Sequence, residues 1–333
     1  MDHSLALPLL IGLVALALAF DFLNGLHDAA NAIATVVATR LLSPVMAVLF
    51  AAAGNFAAYW FVGLHVAETV GKGIIDKDAV TPAVVFGALV GAMFWNVVTW
   101  LKGIPSSSSH ALIGGLLGAG TAHGGFAVVE SAGTSKTVIA IFLSPMIGFG
   151  IAMLLMLITS WLFRGTSPRA SNSTFKGLHL ISSAAYSISH GGNDAQKTMG
   201  IIAVLLYSTG HLSGGFHVPE WVVLSCYTAI AMGTLSGGWR IIRTMGSRLT
   251  RLNHHSGFCA STAGSVVVFG ASAMGIPVST THAITGAVVG TGAARRASAV
   301  RWSVASRVIV AWFITIPASA AVGALFYALT LLG

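Results

Sequence analysis

Two stretches of the chain, Ala79–Leu101 and Thr137–Phe163, contain no acidic or basic side chain, and a third, Trp302–Gly333, is interrupted only by Arg307. A helix needs roughly 20 predominantly apolar residues to cross a bilayer core. Between such runs the polar residues gather in short clusters, as connecting loops do. The pattern predicts an all-α polytopic membrane protein with about ten membrane segments, roughly five in each half of the chain. Leu5–Phe20 reads as the first segment. Ala17-Leu18-Ala19 resembles a signal cleavage site, but only Asp2 and His3 supply titratable side chains before the run, whereas a secretory signal needs a basic leading region.

The polar interruptions repeat. Gly25-Leu26-His27-Asp28-Ala29-Ala30-Asn31 is echoed by Gly191-Gly192-Asn193-Asp194-Ala195-Gln196-Lys197. Gly103-Ile104-Pro105-Ser106-Ser107-Ser108-Ser109-His110-Ala111 is echoed by Gly275-Ile276-Pro277-Val278-Ser279-Thr280-Thr281-His282-Ala283. Two echoes in the same order predict a duplication: residues 1–163 as one repeat, 177–333 as the other, and the polar stretch Arg164–Lys176 as linker.

Charge gives the relative orientation. The Lys72–Asp78 loop holds two lysines and two aspartates, while its counterpart Arg240–His255 holds four arginines and no acid. Thr121–Lys136 holds Glu130 and Lys136, and its counterpart holds Arg295, Arg296 and Arg301. The turn after the first motif carries Arg40, whereas Tyr207–Glu220 has no Lys or Arg. The basic bias flips between corresponding loops, so positive-inside placement predicts two repeats of inverted topology. The linker is then cytoplasmic, and both termini face the other side. The Ser/Thr-rich segments are candidates for re-entrant hairpins, although full spans satisfy the inversion equally.

Composition agrees. Only 8% of the residues are charged, 55% are hydrophobic, and mean hydropathy is +0.85. Soluble domains carry about a quarter charged residues. The net charge of +8 does not indicate nucleic acid, because the basic residues sit in short loops rather than along one face. Cys226 and Cys259 form neither a metal pattern nor a disulfide framework.

Asp28 and Asp194 interrupt apolar surroundings at matched places, and an intramembrane carboxylate normally faces a polar cavity or a partner. A capping or ion-pair role, with Lys197 for Asp194, is the plainer alternative. Asn31, Asn193 and Gln196 add oxygen ligands suited to a hard cation. The glycines before each Asp would let the helix break and free carbonyls. A coupling-ion site for Na⁺ or H⁺ is expected there.

Pro105 and Pro277 precede the hydroxyl runs Ser106, Ser107, Ser108, Ser109 and Ser279, Thr280, Thr281. Proline favours a first helical turn, and helix N-termini attract anions. Two such starts brought together would clamp one tetrahedral oxyanion, whereas hydroxyls that merely join helices are the alternative. His27, His110 and His282 lie within the motifs as accessory candidates, with hydrogen-bonding packing as their commoner role. Lys197 would attract anion or offset carboxylate charge.

With these residues in place, the chain resembles the inorganic phosphate transporter (PiT) family. The resemblance rests on Gly25–Ala32, Ser189–Lys197, both Ser/Thr segments and Gly237-Gly238-Trp239-Arg240-Ile241-Ile242. It implies phosphate symport driven by Na⁺ or H⁺, with the Asp motifs serving the cation and the Ser/Thr segments the phosphate. His27 stands where many members have Asn, and resembles bacterial members associated with protons and metal-complexed phosphate. Ser261 stands where Glu is expected, and the central loop is short.

The expected partners are inorganic phosphate, a coupling cation and the lipid bilayer, with a second copy of the chain as a further candidate. No covalent cofactor is expected, and a divalent metal would travel with phosphate. A sulfate permease is the competing transporter. An anion channel fits paired buried acids less well. A hydrolase using Ser108 or Ser109 with His110 is disfavoured, since adjacent helical residues do not face each other.

Overall fold

The computed structural model describes residues 7–213 and 215–332, so Met1–Ala6, including Asp2, His3 and the start of the expected first segment, lie outside the described residues. The described chain forms twelve α-helices: α1 (Leu7–Ala38), α2 (Pro44–Phe61), α3 (His65–Gly73), α4 (Pro82–Lys102), α5 (Ser108–Gly124), α6 (Ser131–Leu162), α7 (Pro168–Ser208), α8 (Glu220–Ser236), α9 (Trp239–Arg243), α10 (His254–Ala273), α11 (Thr280–Arg295) and α12 (Trp302–Leu329). No strand occurs among the described residues, only an isolated Ile75–Val129 bridge.

Local chemistry sets several helix starts. Ser43, Thr81 and Ser167 each accept a backbone N–H at the head of α2, α4 and α7, and each is followed by proline at the first helical position. The Ser167 cap has a consequence for the polar stretch 164–176. Its residues from Pro168 onward are the first turns of α7, and only 164–167 connect helices. Six helices precede that connection and six follow it, against about five membrane segments expected in each half. The additional elements, α3 and α9, are too short to register as apolar runs.

Among the described residues, six helices are long and apolar enough to cross a membrane: α1, α2, α4, α6, α10 and α12. A seventh arises if α8 and the following Trp239–Gly246, bent by 65°, form one span. The chain is a polytopic helical membrane protein, and its surface agrees. Met146, Leu154 and Leu157 on α6, with Phe313 and Leu325 on α12, are exposed. Many Ser, Thr, Asn, Asp and His side chains are buried inside, among an apolar core. Such large exposed apolar faces need a non-aqueous neighbour.

α5 and α11, at 17 and 16 residues, are mostly buried. α5 packs on α4 and, from across the chain, on α12; α11 packs on α10 and on α6. Glycine makes this approach close. A methyl group on Gly114 or Gly118 of α5 would overlap the α12 backbone at Ile316 or Ala320, and on Gly286 or Gly290 of α11 the α6 backbone at Pro145 or Phe149. α6 and α12 each carry an internal proline beside that contact, Pro145 and Pro317.

Candidate functional site

α1 and α7 run unbroken through the two Asp motifs, which corrects the expectation of helix breaks with free carbonyls. The motif glycines serve close approach instead. A side chain at Gly25 would overlap the Ile230 carbonyl of α8, and one at Gly191 would meet the Asn55 backbone of α2. α1 thereby lies against α8 and α7 against α2, and both Asp side chains are buried.

The chain enters α5 and α11 through matched turns in which Gly103 and Gly275 adopt φ of 64° and 67°, a conformation that suits glycine. Pro105 and Pro277 lie before the helices rather than in their first turns, because α5 begins at Ser108 and α11 at Thr280. Ser107 and Ser279 are the caps: their hydroxyls accept the His110 and His282 N–H groups at 3.2 and 3.1 Å. Ser106 precedes the helix and points its hydroxyl at Thr99, 3.5 Å away. Ser108, Ser109, Thr280 and Thr281 are left to face the Asp motifs.

There the contacts match across the two halves. The Ser108 hydroxyl lies between Asn24 Oδ1 (2.6 Å) and Asp28 Oδ2 (2.9 Å), and Thr280 donates to Asp194 Oδ2 at 3.1 Å. From α11 to α1, Asn31 donates to Thr281 (2.8 Å), which donates to Asp28 Oδ1 (3.4 Å). From α7 to α5, Lys197 donates to Ser109. The same ammonium donates to Asp194 Oδ1 at 2.5 Å and to the Val278 carbonyl at 2.8 Å. All three of its N–H donors are thereby used.

Each carboxylate also has an imidazole. His27 Nδ1 is 2.7 Å from Asp28 Oδ1, and its Nε2 meets Thr99 at 3.1 Å. His190 Nε2 lies 3.3 Å from Asp194 Oδ2, while its Nδ1 meets Asn55 Oδ1 at 3.0 Å. Ligand atoms of Asp28, His190 and Asp194 all lie within 4.8 Å of one another, which is a geometry able to hold a cation. Carboxylate oxygens suit hard cations and imidazole suits transition metals.

His190 and Asn24, both absent from the sequence reading, stand one turn before the two aspartates in matched register; extending the motif comparison by one residue would have found them. Tyr186, whose hydroxyl donates to the Thr280 carbonyl at 3.0 Å, gave no such signal. Other candidates stand apart. Gln196 Oε1 accepts the Val66 and Ala67 N–H groups at 2.9 and 3.3 Å, at the head of α3. Asn193 donates to Ser272 at 2.8 Å. His110 and His282 meet edge to face at 4.3 Å, and His282 stacks on Trp312. Neither serine forms a pair with His110: Ser108 donates to Asn24 and Asp28, and Ser109 to Val278. Ser261, in place of the acid that the resemblance expects, joins Thr35 (3.2 Å) to Ser183 (3.4 Å). A cavity of about 350 Å³ opens beside the Gly275–Pro277 turn, with Glu68 and Lys136 in its wall.

A family model described as the phosphate transporter family matches residues 24–323. The chain belongs to that family. A probable low-affinity inorganic phosphate transporter of Rhizobium meliloti is 62% identical over 327 residues, covering 98% of each chain. One of the same description from Bacillus subtilis is 42% identical over 330 residues, again covering 98% of each. A solved structure described as the sodium-dependent phosphate transporter superposes with a TM-score of 0.90 at 25% identity, over 98% of this chain and 100% of that one. Within this phosphate transporter family member, paired hydroxyl-bearing helix starts face two buried carboxylates.

Proposed function

We propose that the chain is a secondary transporter that imports inorganic phosphate by cation symport across the bacterial inner membrane. On this reading residues 1–163 and 177–333 are inverted repeats, and the segments leading into α5 and α11 are hairpins entering from opposite faces. The observation that carries the reading is the approach of Asp28 and Asp194, one from each half, to within 4.8 Å of each other and of His190.

The N-termini of α5 and α11 supply N–H groups and positive dipole ends for an oxyanion. Ser108, Ser109, Thr280 and Thr281 add hydroxyl donors, while Ser107 and Ser279 fix the helix starts that aim them. Phosphate retains a proton at neutral pH and can donate to Asp28 or Asp194. Sulfate has none to donate and would meet those carboxylates with repulsion alone. That contrast supports phosphate as the anion.

A bound anion beside two acids requires positive charge, because unpaired charge inside a membrane protein is costly. Lys197 provides part of it for Asp194. Asp28, with Asn31 and His190 nearby, is left to take the free coupling cation. Sodium is the first ion to test, because the solved relative is described as sodium-dependent. The proton is second, because His27 and His190 each stand against a carboxylate. A divalent metal would enter as cargo with phosphate.

The test is radiolabelled phosphate uptake into proteoliposomes, with sodium and pH gradients imposed separately. Uptake should follow at least one gradient, and arsenate should compete better than sulfate. Stronger competition by sulfate, or uptake indifferent to both gradients, overturns the reading.

A further inference from the structure

α1 carries another buried carboxylate that the transport site leaves unused. Asp21 precedes Asp28 by seven residues, about 10 Å along the helix and on the same face. It is 0% exposed. Its polar neighbours are Thr198 of α7, Cys226 of α8 and Asn24 of α1 itself. Even so, neither carboxylate oxygen makes a hydrogen bond among the described residues. Asp28 and Asp194 take up the ion pairs found among those residues, and Asp21 has none. Asp194 is the charged group that faces it, and repels it. The hydroxyls of Thr198 and Tyr227, both buried, also lack partners among the described residues, and Tyr227 is within electrostatic reach of Asp21.

Asp21 of α1 and Thr198 of α7 thus bring unsatisfied oxygens together, with Tyr227 of α8 within electrostatic reach. A carboxylate withdrawn from water, with neither a hydrogen bond nor a cation, is unstable as an anion. Packing does not call for an acid here. Ser187, at the corresponding place in α7, satisfies itself by donating to the Ser183 carbonyl at 3.0 Å. An acid confined to one half points to something bound once.

We propose that Asp21, Thr198 and Tyr227 form a second site for a monovalent cation, a proton or sodium, and that this cation travels with phosphate. Its consequence for coupling rests on the symport reading above; the site itself does not.

Coupling ratio is the decisive quantity. In proteoliposomes, the opposing phosphate gradient that just stops net flux under an imposed sodium or pH gradient gives cations moved per phosphate. Asp21→Asn and Asp21→Ser should lower that ratio by one cation, in the sodium arm or the pH arm, and so name the ion. Equilibrium phosphate binding to the purified variants should be unchanged. Where neither acid replacement folds, Thr198→Val carries the test by raising the half-saturating concentration of the same ion. Cation binding without phosphate separates this proposal from transport itself: radiolabelled sodium uptake, or proton exchange read by a pH dye, should fall by one site in Asp21→Ser. Folded variants with an unchanged ratio and unchanged cation binding overturn the proposal. Loss of phosphate binding by a folded variant also overturns it, since Asp21 would then belong to the anion site.

Discussion

Asn31 donates its amide to the Thr281 hydroxyl at 2.8 Å across 250 residues of chain, and Thr281 donates in turn to Asp28. The start of α11 is thus tied to α1 by side chains that an anion would also engage. Lys197 and Ser109 make the reciprocal tie between α7 and α5. A ligand bound between the helix starts competes with both ties at once. In the proposed transporter this links occupancy of the site to the relative position of the two halves.

The hydroxyls should divide by task. Replacing Ser108 and Thr280 together with Ala and Val removes donors that face the carboxylates. Each hydrogen bond to a charged group contributes about 1.5–3 kcal/mol, so phosphate affinity should fall by tens-fold or more. Replacing the caps Ser107 and Ser279 with Ala should act mainly on stability, costing about 1 kcal/mol at each helix start. Equilibrium binding and thermal melting in detergent, measured on both double variants, distinguish the two. Equal affinity losses would mean that caps and facing hydroxyls are not separate.

Gly25→Ala and Gly191→Ala should damage folding rather than transport chemistry. Each added methyl meets backbone, at Ile230 and Asn55 respectively, and backbone in a packed helix pair cannot rotate away. Overpacking of this kind costs about 1–3 kcal/mol. Size-exclusion profiles should show reduced monodisperse yield for both, whereas Gly150→Ala, with open space around its Cβ, should match wild type.

Those glycines also show where sequence reasoning stopped. The duplicated motifs, the hydroxyl-bearing helix starts and the apolar spans were legible because each is a local pattern. A glycine before a buried Asp has two local meanings, a broken helix or a close neighbour. Only the position of α8 against Gly25 selects the second. Gln196 was grouped with the cation ligands by residue type, whereas its carbonyl caps α3, an element too short to produce a periodic signal. His190 could have been found, since it stands in register with Asn24. Tyr186 could not, because its contact with Thr280 depends on how α11 lies across α7.

Asp28→Asn and Asp194→Asn keep size and hydrogen-bonding capacity while removing charge. Asp28, left without Lys197, is the acid assigned to the free cation, so its replacement should abolish uphill phosphate uptake and leave at most gradient-insensitive exchange. Asp194→Asn should also stop concentrative uptake, by leaving the Lys197 ammonium uncompensated in a buried site. Proteoliposome uptake against a phosphate gradient measures both. Wild-type accumulation by either variant would assign that carboxylate a structural role.

Lys197 and Asn31 occupy corresponding places in the two motifs, and the difference bears on how many free cations the site requires. The Lys197 ammonium contacts Asp194, Ser109 and Val278, an arrangement of oxygens that would also suit a small metal cation. Lysine thus acts as a tethered cation in one half, while the Asn31 half has none. Lys197→Asn makes the two halves alike, and should give phosphate uptake a new dependence on a monovalent cation that wild type lacks at this place. Lys197→Met removes the charge without supplying a ligand. Breaking a buried ion pair in that way costs about 3–5 kcal/mol, so this variant should melt earlier. Sodium and lithium titrations of uptake, with melting curves on the same preparations, test both outcomes. If Lys197→Asn transports phosphate with the cation dependence of wild type, the ammonium is not standing in for an ion and its role is confined to tying Ser109 and Val278 to α7.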